Sequence, residues 1–130
     1  MHTEYICLAI MGIFSLLAFF PSSVGKVGVV GMGWAASNRD RPITKELPLW
    51  AGRAERAHIN LKDNLPGFII AVLLLGITNH FSDATALACI IYVVARLGHM
   101  LTYIAGWALP RTVAFFAGIG SNIFLFCCLV

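Results

Sequence analysis

Charge is what this sequence has least of. Nine Lys or Arg and six Asp or Glu occur in 130 residues, 12% of the chain, while 59% is hydrophobic and the mean hydropathy is +0.85. Soluble domains carry about 25% charged residues, so this composition excludes an ordinary water-exposed fold and points to a membrane protein. Cysteine chemistry is missing too. Cys7, Cys89, Cys127 and Cys128 all stand inside apolar runs without CxxC spacing and read as small apolar residues, neither a disulfide framework nor a metal centre. His58 and His99 lack an HExxH-type partner, so no metal is expected. No RNA- or DNA-binding motif is present, and topology explains the positive residues; no nucleic acid is expected as a partner.

What the chain does have is long runs free of charge: Tyr5 to Gly25, Asn64 to Ser82 and Thr112 to Val130, with Ala84 to Pro110 broken only by Arg96. About 20 apolar residues in a helix cross a bilayer core of about 30 Å. The expectation is an all-α, transmembrane four-helix bundle forming a single domain over 1–130, with helices at about 4–35, 52–80, 84–107 and 110–130. The small residues Ser22 to Gly25 resemble a cleavage site after the first run. Only His2 and Glu4 precede that run, however, so the positive n-region of a signal peptide is lacking and a retained span is expected. Arg39, Arg41, Lys45, Arg53 and Arg56 all fall between the first and second spans, whereas the connection NHFSDA holds no Lys or Arg. The positive-inside rule then puts the first loop in the cytoplasm and both termini on the other side, in the inner membrane if the protein is bacterial.

Within the second helix, GRAERAHINLKDNLPGFIIAVLLLG carries charges toward the hydrocarbon. At about 100° per residue, Arg53, Arg56, Asn60, Asp63 and Gly67 fall on one stripe of the second helix. Glu55, His58 and Lys62 lie off it and read as interfacial residues. Pro66 interrupts the hydrogen-bond ladder just beyond, so a kink is expected. Tyr92, Arg96, His99 and Tyr103 share a face of the third helix. Arg96 stands about 16 Å from the cytoplasmic connection, near the midplane, where a guanidinium needs an anion. Asp63 is the only acidic residue at comparable depth, so an Arg96–Asp63 ion pair is one expectation. A bound anion is the other, because Arg111 opens the fourth helix beside Pro110 and brings a further cation and a helix N-terminus to the same end.

Taken in order, ERAHINLKDNLP, ARLGHMLTY and PRTVAF resemble the MAPEG family, the membrane-associated proteins in eicosanoid and glutathione metabolism, from about Trp34 to the C-terminus. The form WAASNRD followed by GRAERAH is similar to small bacterial members. The resemblance implies a homotrimer with glutathione bound as co-substrate between subunits. It implies glutathione contacts at Arg56, Asn60, Asp63, Arg96, His99, Tyr103 and Thr112, and a catalytic Arg111 that holds the thiolate. Two positions depart from the family pattern: Asp63 stands where Glu is usual, and Phe115 where some members have Tyr.

The leading functional expectation is a glutathione-dependent transferase or peroxidase acting on lipophilic electrophiles or lipid hydroperoxides that arrive from the bilayer. A non-catalytic trimeric scaffold or lipid-binding protein of the same fold is the alternative. A transporter or channel subunit with Arg96 and Asp63 along a polar route is a third, opposed by the lack of polar residues in the other leaflet. The identity of the electrophile, and the choice between conjugation, peroxide reduction and isomerisation, are not written in side chains as uniform as Leu, Ile, Val, Ala and Phe.

Overall fold

The computed structural model describes residues 1–130 and contains six helical segments and no strand: α1 (Thr3–Leu17), α2 (Phe20–Val30), α3 (Met32–Ala35), α4 (Leu49–Ile77), α5 (Asp83–Ala105) and α6 (Ala108–Cys127). They make four membrane-length units, Thr3–Val30, Leu49–Ile77, Asp83–Ala105 and Ala108–Cys127, with mean hydropathies of 2.0, 1.4, 1.7 and 1.3. The protein is a multi-pass, all-α membrane protein. Ile13, Leu16, Ile70, Leu73, Leu101, Val113, Phe116 and Ile123 are exposed around the bundle, as suits a surface solvated by acyl chains.

The first unit differs from the single helix expected over 4–35. Pro21 lacks the N–H that would bond the carbonyl of Leu17, and α1 ends at Leu17. Gly31, with φ of 86°, ends α2 and separates the single turn of α3. By contrast α4 continues as one 29-residue helix through Pro66.

Packing is most extensive between α5 and α6, which form an antiparallel hairpin. Its turn is closed by Gly106 at φ of 84°, where the N–H of Trp107 donates to the carbonyl of Thr102 at 2.9 Å. A β-carbon on Gly106 would stand 2.7 Å from Cζ of Arg53, which lies against the turn. Gly106→Ala is therefore expected to cost about 1–2 kcal/mol from the left-handed backbone alone, with a further penalty for displacing Arg53. Unfolding in mixed detergent micelles measures it, and an unchanged midpoint would refute the account.

Met11 of α1, Phe68 and Leu75 of α4, Cys89 and Tyr92 of α5 and Leu125 of α6 fill the core. Phe68 and Tyr92 stack with ring centroids 4.0 Å apart. At the end of the bundle opposite the α3–α4 loop, Glu4 is only 2% exposed and accepts a hydrogen bond from Oγ1 of Thr85 at 2.6 Å. Thr85 also accepts from the backbone N–H of Ser82 at 2.8 Å, completing a capping box that starts α5. One hydroxyl thus joins α1 to α5 and caps α5. Thr85→Val leaves a buried carboxylate oxygen and a helix-terminal N–H unsatisfied and is expected to lower stability by about 2–4 kcal/mol. Thr85→Ser, which keeps the hydroxyl, is expected to retain most of it; a Thr85→Val protein as stable as the wild type, with the loss falling on Thr85→Ser instead, would show that the methyl packing matters and the hydrogen bonds do not.

Candidate functional site

The polar stripe of α4 and the polar face of α5 meet at Asn60. Its Oδ1 accepts from Nη1 of Arg96 at 3.3 Å, and its backbone carbonyl accepts from Nδ2 of Asn64 at 2.8 Å. Arg96 is 2% exposed, and its Nε and Nη2 have no hydrogen-bond partner. The guanidinium lies 5.1 Å from the ring centroid of Tyr92 and 5.8 Å from that of Phe115, so cation–π attraction replaces part of its hydration. Room for it comes from α6: a β-carbon on Gly118 would sit 2.8–2.9 Å from the guanidinium atoms. Gly118 is a site residue that the sequence reading missed. Its only trace there is a spacing of two helical turns from Arg111, which puts both on one face of α6.

The expected Arg96–Asp63 ion pair does not form. Asp63 is exposed on α4, while Arg96 turns inward toward Asn60 and Gly118. Lys26 and Glu55 make the only ion pair in the chain. That pair ties α2 to α4, so Glu55, read from sequence as merely interfacial, is matched with a residue of another helix and does not balance the site.

Near the loop-bearing end, Arg56, Ile59, Asn60, Asp63 and Tyr103 line a cavity of about 250 Å³. Tyr103 joins it to the other arginine, with Cζ of Arg56 5.9 Å and Cζ of Arg111 4.7 Å from its ring centroid. His99, 4% exposed, packs edge-on to Tyr103 at 5.4 Å and lies 6.1 Å from the ring of Phe115. Seven of the eight residues expected at the site, Arg56, Asn60, Asp63, Arg96, His99, Tyr103 and Arg111, are thus linked through Asn60 and Tyr103. Thr112 stands apart: it is exposed, and its hydroxyl donates to the carbonyl of Ala108 at 2.9 Å.

Three helices therefore contribute to one polar region, with three guanidinium groups, Arg56, Arg96 and Arg111, and one carboxylate, Asp63, none of them in an ion pair. Such a region suits a small anion, which would satisfy donors the chain leaves unpaired. On the opposite face of α5, Val94, Ala95 and Gly98 join Val113 and Ala114 of α6 in an apolar groove of about 630 Å³.

The model of the MAPEG family matches residues 3–130, nearly the whole chain. This protein belongs to the MAPEG family. Comparison with curated proteins gave no match. The family includes glutathione transferases and peroxidases as well as non-catalytic members. Membership extends the likeness through α1, and so beyond the motifs on α4, α5 and α6. In this MAPEG protein the polar face of α5 looks into the bundle, and the apolar face of the same helix lines the groove it shares with α6.

Proposed function

We propose that this MAPEG protein binds glutathione at the Arg56–Asn60–Asp63–Arg96–His99–Tyr103–Arg111 region and uses its thiolate against lipophilic electrophiles or lipid hydroperoxides drawn from the bilayer. The observation that carries the reading is Arg96, buried with two nitrogens unpartnered in a region where three arginines face one carboxylate. Glutathione offers two carboxylates and one thiol, and its family association favours it over other small anions. Arg96 and Arg56 would take carboxylates as charge-assisted partners, with Asn60 holding the guanidinium of Arg96 in place and Asp63 available to the glutathione ammonium.

Chemistry follows from the thiol. Its ordinary pKa of about 8.5 leaves it mostly protonated at neutral pH, and a nearby guanidinium lowers that value. In this role Arg111 stabilises the thiolate electrostatically; a guanidinium does not act as a general base. The thiolate then attacks an electrophilic carbon, giving a thioether as a leaving group departs with its bonding pair or an activated double bond takes up the pair and a proton. With a hydroperoxide it attacks a peroxide oxygen instead, breaking the O–O bond to give, with a proton from water, an alcohol and a glutathione sulfenic acid that a second glutathione converts to the disulfide with loss of water. Assembly as a homotrimer belongs to the proposal, because Arg56, Ile59 and Asp63 are exposed in the single chain and a neighbouring subunit would cover them. So does placement in the inner membrane with both termini away from the cytoplasm, which follows the arginines of the α3–α4 loop.

A second reading, a non-catalytic scaffold or lipid-binding trimer of the same fold, is favoured by Phe115. Its ring sits beside Arg96 and His99 and offers no hydroxyl to a thiolate. Glutathione titration of the purified protein in detergent, with thiolate absorbance followed in the ultraviolet, separates the two. Thiolate at neutral pH supports catalysis; binding without thiolate supports the scaffold; no binding to a folded protein removes the glutathione site.

A further inference from the structure

The loop between α3 and α4 holds a second cationic region that plays no part in the site above. Indole Nε1 of Trp34 donates to the backbone carbonyl of Arg41 at 2.9 Å and closes the segment from Trp34 to Arg41 into a ring. Inside it, the backbone N–H of Arg39 donates to Oγ of Ser37 at 3.1 Å, and Nε and Nη2 of Arg39 donate to the carbonyl of Ala35 at 3.3 and 3.2 Å. The guanidinium of Arg39 is held 5.5 Å from the Trp34 ring centroid. Arg39 adopts φ of 59°, a left-handed conformation that a residue with a β-carbon takes at a cost. A cavity of about 600 Å³ opens beside these groups, lined by Val30, Trp34, Asn38, Arg39, Asp40 and Arg41 among others.

Two features identify an occupant. First, Arg39 and Arg41 have no carboxylate partner: Asp40 stands between them in sequence and pairs with neither, which leaves the lining with an excess of one positive charge. Second, the cavity begins where the first membrane unit ends, at Val30, and α3 rises about one turn beyond it. At 1.5 Å per residue the 28-residue first unit is about 42 Å long, more than a hydrocarbon core of about 30 Å, so its Val30 end and the turn of α3 beyond it reach the layer of phosphate headgroups. Trp34 suits that layer, with its ring at the membrane interface and its N–H bonded. Arginine presents a planar fork that matches phosphate oxygens, and the fork of Arg41 is uncommitted because only its backbone carbonyl holds the ring closed.

We propose that this cavity binds a phosphate group bearing net negative charge, with Arg39 and Arg41 as ligands and Trp34 as the wall, its source at this depth being an anionic phospholipid headgroup. The site is separate from the glutathione region, and its failure or success does not depend on that reading.

The test is native mass spectrometry of the purified full-length protein after exchange into equal amounts of phosphatidylglycerol and phosphatidylcholine, whose choline cation opposes the arginines. Retention of phosphatidylglycerol over phosphatidylcholine by about tenfold is expected. The ratio should fall to about one in a double variant, Arg39→Asn with Arg41→Gln. Both residues are exposed, and asparagine tolerates the left-handed backbone, so the fold is kept; Arg41→Gln alone, which preserves the Trp34 bond to the backbone, is expected to lose part of the preference. Equal retention of the two lipids, or a preference intact in the double variant, overturns the site. Excess inorganic phosphate provides the remaining arm: no effect on the ratio supports the lipid headgroup, whereas abolition of the preference assigns the cavity to free phosphate and overturns the lipid source.

Discussion

Arg96→Met is expected to leave the ligand-free protein at least as stable as the wild type while abolishing its stabilisation by glutathione. A buried guanidinium that lacks partners at Nε and Nη2 is a net cost to the ligand-free fold. Each unsatisfied buried donor costs about 1–3 kcal/mol, and the desolvated charge adds several more. Methionine is long, flexible and apolar, and it fills the space beside Gly118, Tyr92 and Phe115 without needing a donor or acceptor. What the variant loses is the 3.3 Å bond to Oδ1 of Asn60 and the cation–π contacts, together about 1–3 kcal/mol. In the wild type, glutathione at one hundred times its dissociation constant would raise stability by about 2.7 kcal/mol, and this increment is the quantity the variant should forfeit. Thermal unfolding of both proteins in detergent, with and without glutathione, decides the matter. If Arg96→Met unfolds well below the wild type when no ligand is present, Arg96 is an architectural residue and the anion argument built on it fails.

Arg111→Ala acts on chemistry and is expected to return the bound thiol toward its free pKa of about 8.5. Arg111 packs over Tyr103 at the first turn of α6, where its charge and the helix N-terminus act together on a nearby anion. Each unit of pKa depression corresponds to about 1.36 kcal/mol of preference for the thiolate, so a depression of about two units makes thiolate the majority form at pH 7. Thiolate exists above the pKa, so the loss in the variant should be largest near neutral pH and should shrink as the pH rises past about 8.5. Turnover at neutral pH should fall by about 10²- to 10³-fold, the range seen when a single electrostatic stabiliser is removed from an active site. Arg111→Lys keeps a charge without the planar fork and should recover part of the activity. Ultraviolet titration of bound glutathione across pH measures the shift, and an unmoved midpoint in Arg111→Ala would remove Arg111 from the catalytic role.

Much of this architecture is local and therefore legible. Helical periodicity acts over a few residues, so Arg56, Asn60 and Asp63 on α4 and Arg96, His99 and Tyr103 on α5 sort onto single faces from spacing alone. Run length against bilayer thickness is equally local and separates the four membrane units, although Pro21 and Gly31 divide the first more finely than hydropathy shows.

Partners are another matter, because they depend on how each helix is rotated against its neighbours. Depth along the axis made Asp63 and Arg96 natural companions. The missing β-carbon at Gly118 opens a place on α6 for the guanidinium, and Arg96 turns there while Asp63 stays on the outer side of α4. The same holds for Glu4 and Thr85, 81 residues apart, and for Lys26 and Glu55, 29 apart. By itself the sequence determined a multi-pass helical membrane protein with cationic faces near one end, since composition and periodicity need no knowledge of packing. Only the tertiary structure decided which charges are matched and which remain open, because that outcome rests on close packing between helices, where one absent methyl group redirects a side chain.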